Sequence, residues 1–434
     1  MTGDSQLTEI KMADGVMLHL IKESKFKTVR LMVRFREEMS ADTLGKRVLI
    51  SNMLESTNAV YQTGKDFSRK LSEMYGASFT TGVAKKGKQH LLSLNMSIVN
   101  PKLVDFDTLG AAVDFLKIAI FQPDASNGQF NPEIFKREQR NLLHYLASMN
   151  DDRSYYASRQ LANLFFEDEN QALPSVGTSE LIAKENPKAV FEYYQKMLTD
   201  NAIDIFVLGD VDEKRMIERF ADFNFTDRAV SKEIFYQQSL TESSVVTDEK
   251  EVAQSILQFA YQMPIAYGDK NYLALQVMNG LLGGFAHSKL FTNVREKASL
   301  AYSISSTFDS FTGFLKIAAG IDVENYEEAK SLIFEQLEAI KSGDFTELEV
   351  EQTKTMLRNA YFVGQDSPSN TIELEYVKAL IPDKFLPMSE FLKALESVSK
   401  ADLISVAKSL NLQAEYFMKG FTVNQEKMEV SLEK

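Results

Sequence analysis

The stretch that decides the fold reads Asn279-Gly280-Leu281-Leu282-Gly283-Gly284-Phe285-Ala286-His287-Ser288-Lys289-Leu290-Phe291-Thr292-Asn293-Val294-Arg295-Glu296-Lys297-Ala298-Ser299-Leu300-Ala301-Tyr302-Ser303-Ile304-Ser305-Ser306-Thr307-Phe308. It predicts an apolar helix, a Gly-Gly turn and a short second helix ending near Arg295-Glu296-Lys297. A strand follows, in which Ala301, Ser303 and Ser305 alternate with Tyr302, Ile304 and Ser306. Arg295 then stands at a helix end and Tyr302 at the start of a strand. A guanidinium is permanently charged and presents a rigid fork of donors, and a phenol adds one more. Two such donors directed at one polarised carbonyl make an oxyanion-type site. The plainer reading makes Arg295 a partner of the helix C-terminal dipole and Tyr302 a half-buried strand residue.

The same succession occurs earlier in the chain. Leu44, Val48, Leu49, Met53 and Leu54 recur at helical spacing. A second helix is predicted from Asp66 to Tyr75, introduced by Thr63-Gly64 and stopped at Gly76. Strands follow at Ala77 to Val83 and His90 to Ile98, then helices at Leu109 to Phe121 and from Pro132 onward. In the second part, Val252 to Met263 corresponds to Val29 to Phe35. Ser303 to Phe308 and Phe314 to Ile321 correspond to the earlier pair of strands, and Glu415 to Lys419 to Ile203 to Leu208. Asp366-Ser-Pro-Ser falls where Asp151-Asp-Arg-Ser does. A repeat of this length predicts an α+β chain of two homologous halves, each a mostly antiparallel sheet covered by helices. The boundaries expected are residues 1–225 and 251–434, joined by a polar linker at 226–250. The polar residues from Phe421 to the end are expected to be loosely held.

Composition narrows the function classes. With 48 Lys and Arg against 61 Asp and Glu, the net charge of −13 argues against nucleic acid as partner. Without Cys, neither disulfides nor thiolate metal sites are available. The first residues carry no basic, apolar leader pattern, and no apolar run approaches the ~20 residues that span a bilayer. The expectation is a cytoplasmic protein with no membrane contact.

The glycine loop followed by Arg295 and Tyr302, repeated fold and all, resembles the insulinase-like, or pitrilysin-type, zinc peptidases. The resemblance covers nearly the whole chain. It implies an insulinase and mitochondrial-processing-peptidase-like fold, with Gly283, Gly284, Arg295 and Tyr302 on the substrate and the Arg/Tyr pair holding its backbone carbonyl. It also implies a zinc site in the first half, built on an inverted His-x-x-Glu-His motif with a further Glu from a later helix. The matching helix reads Val48-Leu49-Ile50-Ser51-Asn52. Val48 and Asn52 stand at the His positions, Ser51 at the general base, and Tyr145 at the third ligand. Valine cannot ligate, neutral Asn is a poor zinc ligand, and a lone Ser cannot deprotonate water near pH 7. Glu138 stands where the family has a supporting acid. His144, His90, His287 and His19, each without a second His nearby, read as ordinary helix or strand residues.

The chain therefore resembles the non-catalytic subunit of two-chain insulinase-like peptidases, and within them the bacterial YmfF-like branch. What this implies is a protein inactive alone and without metal, pairing with a zinc-bearing homologue that acts on short or unfolded peptides. The alternatives are a scaffolding subunit with no part in catalysis and a stand-alone peptide-binding protein.

Overall fold

The computed structural model describes residues 6–231 and 233–421. The tail expected to be loosely held lies, after Phe421, outside the described residues. The chain divides into two compact units. Unit 1 takes Met1–Ser148, Leu173–Ile234 and Ser367–Tyr376; unit 2 takes Met149–Ala172, Phe235–Asp366 and Val377–Lys434.

Unit 1 is built on β1 (Gln6–Ala13), β2 (Val16–Lys22), β3 (Thr28–Glu38), β4 (Ser78–Lys86) and β5 (Gln89–Val99). A two-residue pair, β6 (Ala125–Ser126) and β7 (Gln129–Phe130), stands apart, and β8 (Ala202–Gly209) completes the main sheet. The order is β1-β2-β8-β3-β5-β4, antiparallel except for β2 beside β8. Every residue of β8 is buried, as a central strand covered on both faces requires. Helix Ala41–Ser56 starts at Ser40, whose hydroxyl accepts from Asp42 N, and helix Gly64–Glu73 starts at Thr63, which caps Asp66 N.

Unit 2 is built on β9 (Ser244–Glu251), β10 (Ser255–Gln262), β11 (Ala301–Asp309), β12 (Phe314–Ile321) and β13 (Asn411–Phe421). Their order is β11-β12-β10-β13-β9, again antiparallel except at one margin, where β9 runs parallel to β13. Strand for strand this is the order β4-β5-β3-β8-β2 of unit 1. The duplication is thus one of topology as well as sequence. One face of this sheet packs on helices Tyr272–Asn279, Tyr326–Ser342 and Lys400–Lys408 around Leu257, Phe259, Leu282 and Ile333. The other face is covered at β10 and β13 by helix Arg153–Phe165, through Ala157, Leu161 and Phe165.

Two features depart from the continuous halves expected. Ser244–Glu251, read as linker, is a strand, the counterpart of β2. It escaped notice because an exposed edge strand has no buried face to impose alternation, and Val245 and Val246 are exposed. Each unit also includes a segment from the other stretch of chain. Residues 149–172 belong to unit 2, and 367–376 to unit 1, where Tyr376 packs edge-on against Phe206 and its ring lies 4.3 Å from the buried Arg34 guanidinium. These are the two positions, after Asp151 and Asp366, that the repeat pairs. The second face of a sheet must be covered by something, and the matching helix of the opposite half does it in both cases.

Candidate functional site

The helix expected to carry metal ligands, Ala41–Ser56, buries the face in question. Val48 is 3% exposed and Ser51 is buried, its backbone carbonyl accepting from Thr81 Oγ1 at 2.8 Å. Asn52 is half-buried. Tyr145, on helix Pro132–Asp151, is 52% exposed. Glu138 on that helix accepts from Ser56 Oγ at 2.6 Å and from Arg137 Nε at 2.8 Å. Among the described residues, no three His, Cys, Asp or Glu gather as a metal site needs. A side chain without lone pairs packed into the core, a neutral amide, a hydroxyl and an exposed phenol do not make a zinc donor set.

The same helix holds something that sequence reading missed. Arg47 is fully buried and all its N–H donors are engaged. Nε donates to His90 Nδ1 at 2.8 Å, the terminal nitrogens to Tyr193 Oη at 3.2 Å, Phe35 O at 2.9 Å, His90 O at 3.2 Å and the Asn201 side-chain oxygen. Glu37 lies 3.6 Å away as counter-ion. Because His90 Nδ1 accepts from Arg47, its proton sits on Nε2 and goes to Ser175 O at 2.9 Å. Burial and the Arg47 charge pull the His90 imidazole down to about 3. His90 is thus a neutral structural residue. His144 is exposed, and His287 meets Thr353 Oγ1 at 2.9 Å. His19 lies between Glu9 at 3.2 Å and Asp204 at 3.1 Å.

In unit 2 the glycine loop and Arg295 lie on wide helical turns rather than ordinary α-helix. Helix Tyr272–Asn279 runs into a π-type turn at Gly280–Gly284, and Leu290–Lys297 is π-type too, its end closed by Ala298 N bonding Asn293 O at 3.1 Å. Gly283 is buried against β11. A Cβ there would stand 2.6 Å from Ser306 N, so no side chain fits. Asn279 Oδ1 takes the Ser306 hydroxyl at 2.7 Å, tying loop to strand. Gly284, by contrast, is exposed.

Arg295 stacks over the Phe291 ring at 4.6 Å, with Nε 3.6 Å from Glu296 and 41% of its side chain exposed. Its terminal nitrogens have no hydrogen-bond partner among the described residues. Tyr302 is 60% exposed. A register shift between Ala301 and Ser303 leaves it outside the β11–β12 pairing. That shift overturns the simple alternation expected: Ala301, Ile304 and Ser306 are the buried residues of β11, while Ser303, Ser305 and Thr307 are exposed. The Tyr302 hydroxyl donates to the Asp322 carboxylate, 3.0 and 2.9 Å from its oxygens, and this bond raises the phenol above its ordinary range. Arg295 and Tyr302 are therefore each held by an acid of their own and not by each other. Neither lines the cleft of about 330 Å³ in unit 2, which lies between Phe235, Met263, Pro264 and Thr312 at the far end of the sheet. The pair stands on open surface.

Comparison with known proteins gives the family. The family described as Peptidase M16 inactive domain matches residues 184–357. The probable inactive metalloprotease YmfF of Bacillus subtilis (strain 168) is 32% identical over 423 residues, 96% of this chain and 99% of that protein. The crystal structure of a conserved protein from Enterococcus faecalis V583 superposes with a TM-score of 0.93 at 43% identity, covering 97% of this chain and 100% of that one. The peptidase M16 inactive domain from Pseudomonas fluorescens, at 17% identity and a TM-score of 0.77, shares the fold over 96% of this chain and 99% of its own. The chain thus belongs to the insulinase-like M16 metallopeptidase family, as an inactive homologue.

Proposed function

We propose that this chain is the non-catalytic, substrate-binding subunit of a two-chain insulinase-like peptidase. A homologous partner brings the zinc, the substrate is a short or unfolded peptide, and the pair works in the cytoplasm. The observation that carries the reading is the asymmetry between the two stations of the family's chemistry. The positions read as the metal site hold packed or non-ligating side chains, while Arg295 keeps a half-exposed guanidinium with unspent donors and Tyr302 is exposed. In this reading Arg295 and Tyr302 bind the substrate carbonyl while the partner's zinc activates the attacking water. The open position of the pair favours a partner. Donors facing bulk water contribute little to an oxyanion, and they gain strength only when another surface excludes that water.

The test uses the purified chain alone and mixed with a zinc-bearing homologue from its own cell. Alone it is expected to hold no stoichiometric zinc and to cleave no peptide; mixed, activity appears. Replacing Arg295 by Ala and Tyr302 by Phe together is expected to lower turnover about 100-fold or more, the scale of losing one oxyanion donor. A scaffolding role has one observation in its favour, the commitment of the Tyr302 hydroxyl to Asp322. Under that role the double variant assembles normally and leaves the partner's activity unchanged.

A further inference from the structure

On the face of the unit 2 sheet that helix Arg153–Phe165 covers at β10 and β13, β11 and the outer part of β12 continue beyond the helix. Ser303, Ser305 and Thr307 form an exposed row of hydroxyls there. At one end of that row, paired with Thr307, is Lys316. Its ammonium is half-buried, and its partner is a hydroxyl, Ser158 Oγ at 3.0 Å. No carboxylate meets it among the described residues. Several other buried or half-buried lysines of this unit behave differently. Lys330 meets Glu415 at 2.8 Å, Lys354 meets Glu351 at 3.2 Å and Lys289 lies 3.6 Å from Glu349. A chain with 13 more acids than bases has counter-ions to spare, and it places none here.

Ser158 is held in a matching state. Its oxygen accepts from Lys316 and also from Nε2 of Gln258 at 3.1 Å, a residue only 1% exposed. A serine oxygen that takes two hydrogens has its own O–H left to give. That O–H meets no acceptor among the described residues. Burial alone, with no acid to oppose it, lowers the Lys316 amine below its ordinary range. Two groups 3.0 Å apart, each with a donor to spare, one a cation and the other a hydroxyl backed by the buried Gln258 amide, form a receptor for one anionic group.

We propose that Lys316 and Ser158 form a carboxylate-binding subsite for an extended peptide lying along β11. The proposal rests on the reading of Arg295 and Tyr302 as the carbonyl-binding pair. From Tyr302 to Thr307 is five residues of strand, about 17 Å at the rise of an extended chain. A peptide held by its carbonyl at Tyr302 therefore brings a carboxylate roughly five residues away to Lys316. That carboxylate comes either from the C-terminus or from an acidic side chain.

The test is fluorescence anisotropy on the full chain with a neutral ten-residue peptide in three forms. One has a free C-terminus, one is amidated, and one is amidated with a single Glu toward its end. At least one carboxylate form is expected to bind about tenfold tighter than the neutral amide, and which one identifies the source. The preference is expected to vanish in Lys316→Met, to survive in Lys316→Arg, and to shrink as salt is raised. Arg295→Ala with Tyr302→Phe is expected to weaken all three forms by one factor and leave their ratio intact. Equal binding of the three forms to the unaltered chain, or a preference that persists in Lys316→Met, overturns the subsite. A preference lost in Lys316→Met but absolute affinities untouched by the double variant overturns the carbonyl reading and leaves the carboxylate site standing. Failure of every form to bind overturns both.

Discussion

Tyr302 shows how much one neighbour decides. A carboxylate is a stronger acceptor than an amide carbonyl, so the Asp322 oxygens hold the phenolic hydrogen that a substrate would need. Replacing Asp322 by Ala is expected to bring the Tyr302 phenol back down toward its ordinary range, read by NMR titration of labelled tyrosine with Tyr302→Phe to assign the signal. An unchanged titration would remove Asp322 as its cause. His90 offers a second residue-scale case, with the opposite sign. Between pH 6.5 and about 3 the unfolded imidazole takes a proton that the folded one refuses. Stability carried by neutral His90 is therefore full above pH 6.5 and drains as pH falls through that window. The whole drop amounts to roughly 4 to 5 kcal/mol if no other group compensates. His90→Gln, which can accept from Arg47 and donate to Ser175 without titrating, is expected to flatten that part of the stability curve in urea melts run from pH 7 to 4.

At the scale of elements, the glycine loop serves packing before it serves anything else. Gly283 lets the π-type turn lie directly on β11, and the Cβ of an alanine would overlap Ser306 N. Gly283→Ala is expected to cost about 1–3 kcal/mol, seen as a lower urea midpoint with an unchanged slope. Gly284, exposed, faces no such limit from β11, and Gly284→Ala is expected to cost clearly less. Equal costs would mean the close approach is not what holds the loop. Lys316 on β12 belongs to the same scale. A half-buried cation without a counter-ion is a burden on the fold, so Lys316→Met is expected to raise the thermal midpoint by roughly 2–4 °C while abolishing carboxylate preference. A residue kept for packing would lower it instead.

Across the whole molecule, the exchange of segments between the two stretches of chain has a direct consequence. Residues 1–240 expressed alone would lack Ser367–Tyr376, and with it the Glu373 partner and Tyr376 cover of the buried Arg34. Stranding such a charge costs about 3–5 kcal/mol. The fragment is expected to give no cooperative urea transition alone and to recover one when co-expressed with residues 241–434. A well-folded isolated fragment would show that the segment is dispensable. The repeat, the glycine loop and the residues at 48, 51, 52 and 145 were all legible from the chain, because duplication and the absence of lone pairs are properties of residue order and type. Those facts alone determined the family, and the expectation of a missing metal site rests on them. Tertiary structure decided the rest. It turned the end of the supposed linker into β9, sent residues 149–172 and 367–376 into the opposite units, displaced Tyr302 by a register shift, gave its hydrogen to Asp322, and left Lys316 without an acid among the described residues. Each depends on which atoms meet across long stretches of chain, and side-chain periodicity records burial within an element, not the partner found beyond it.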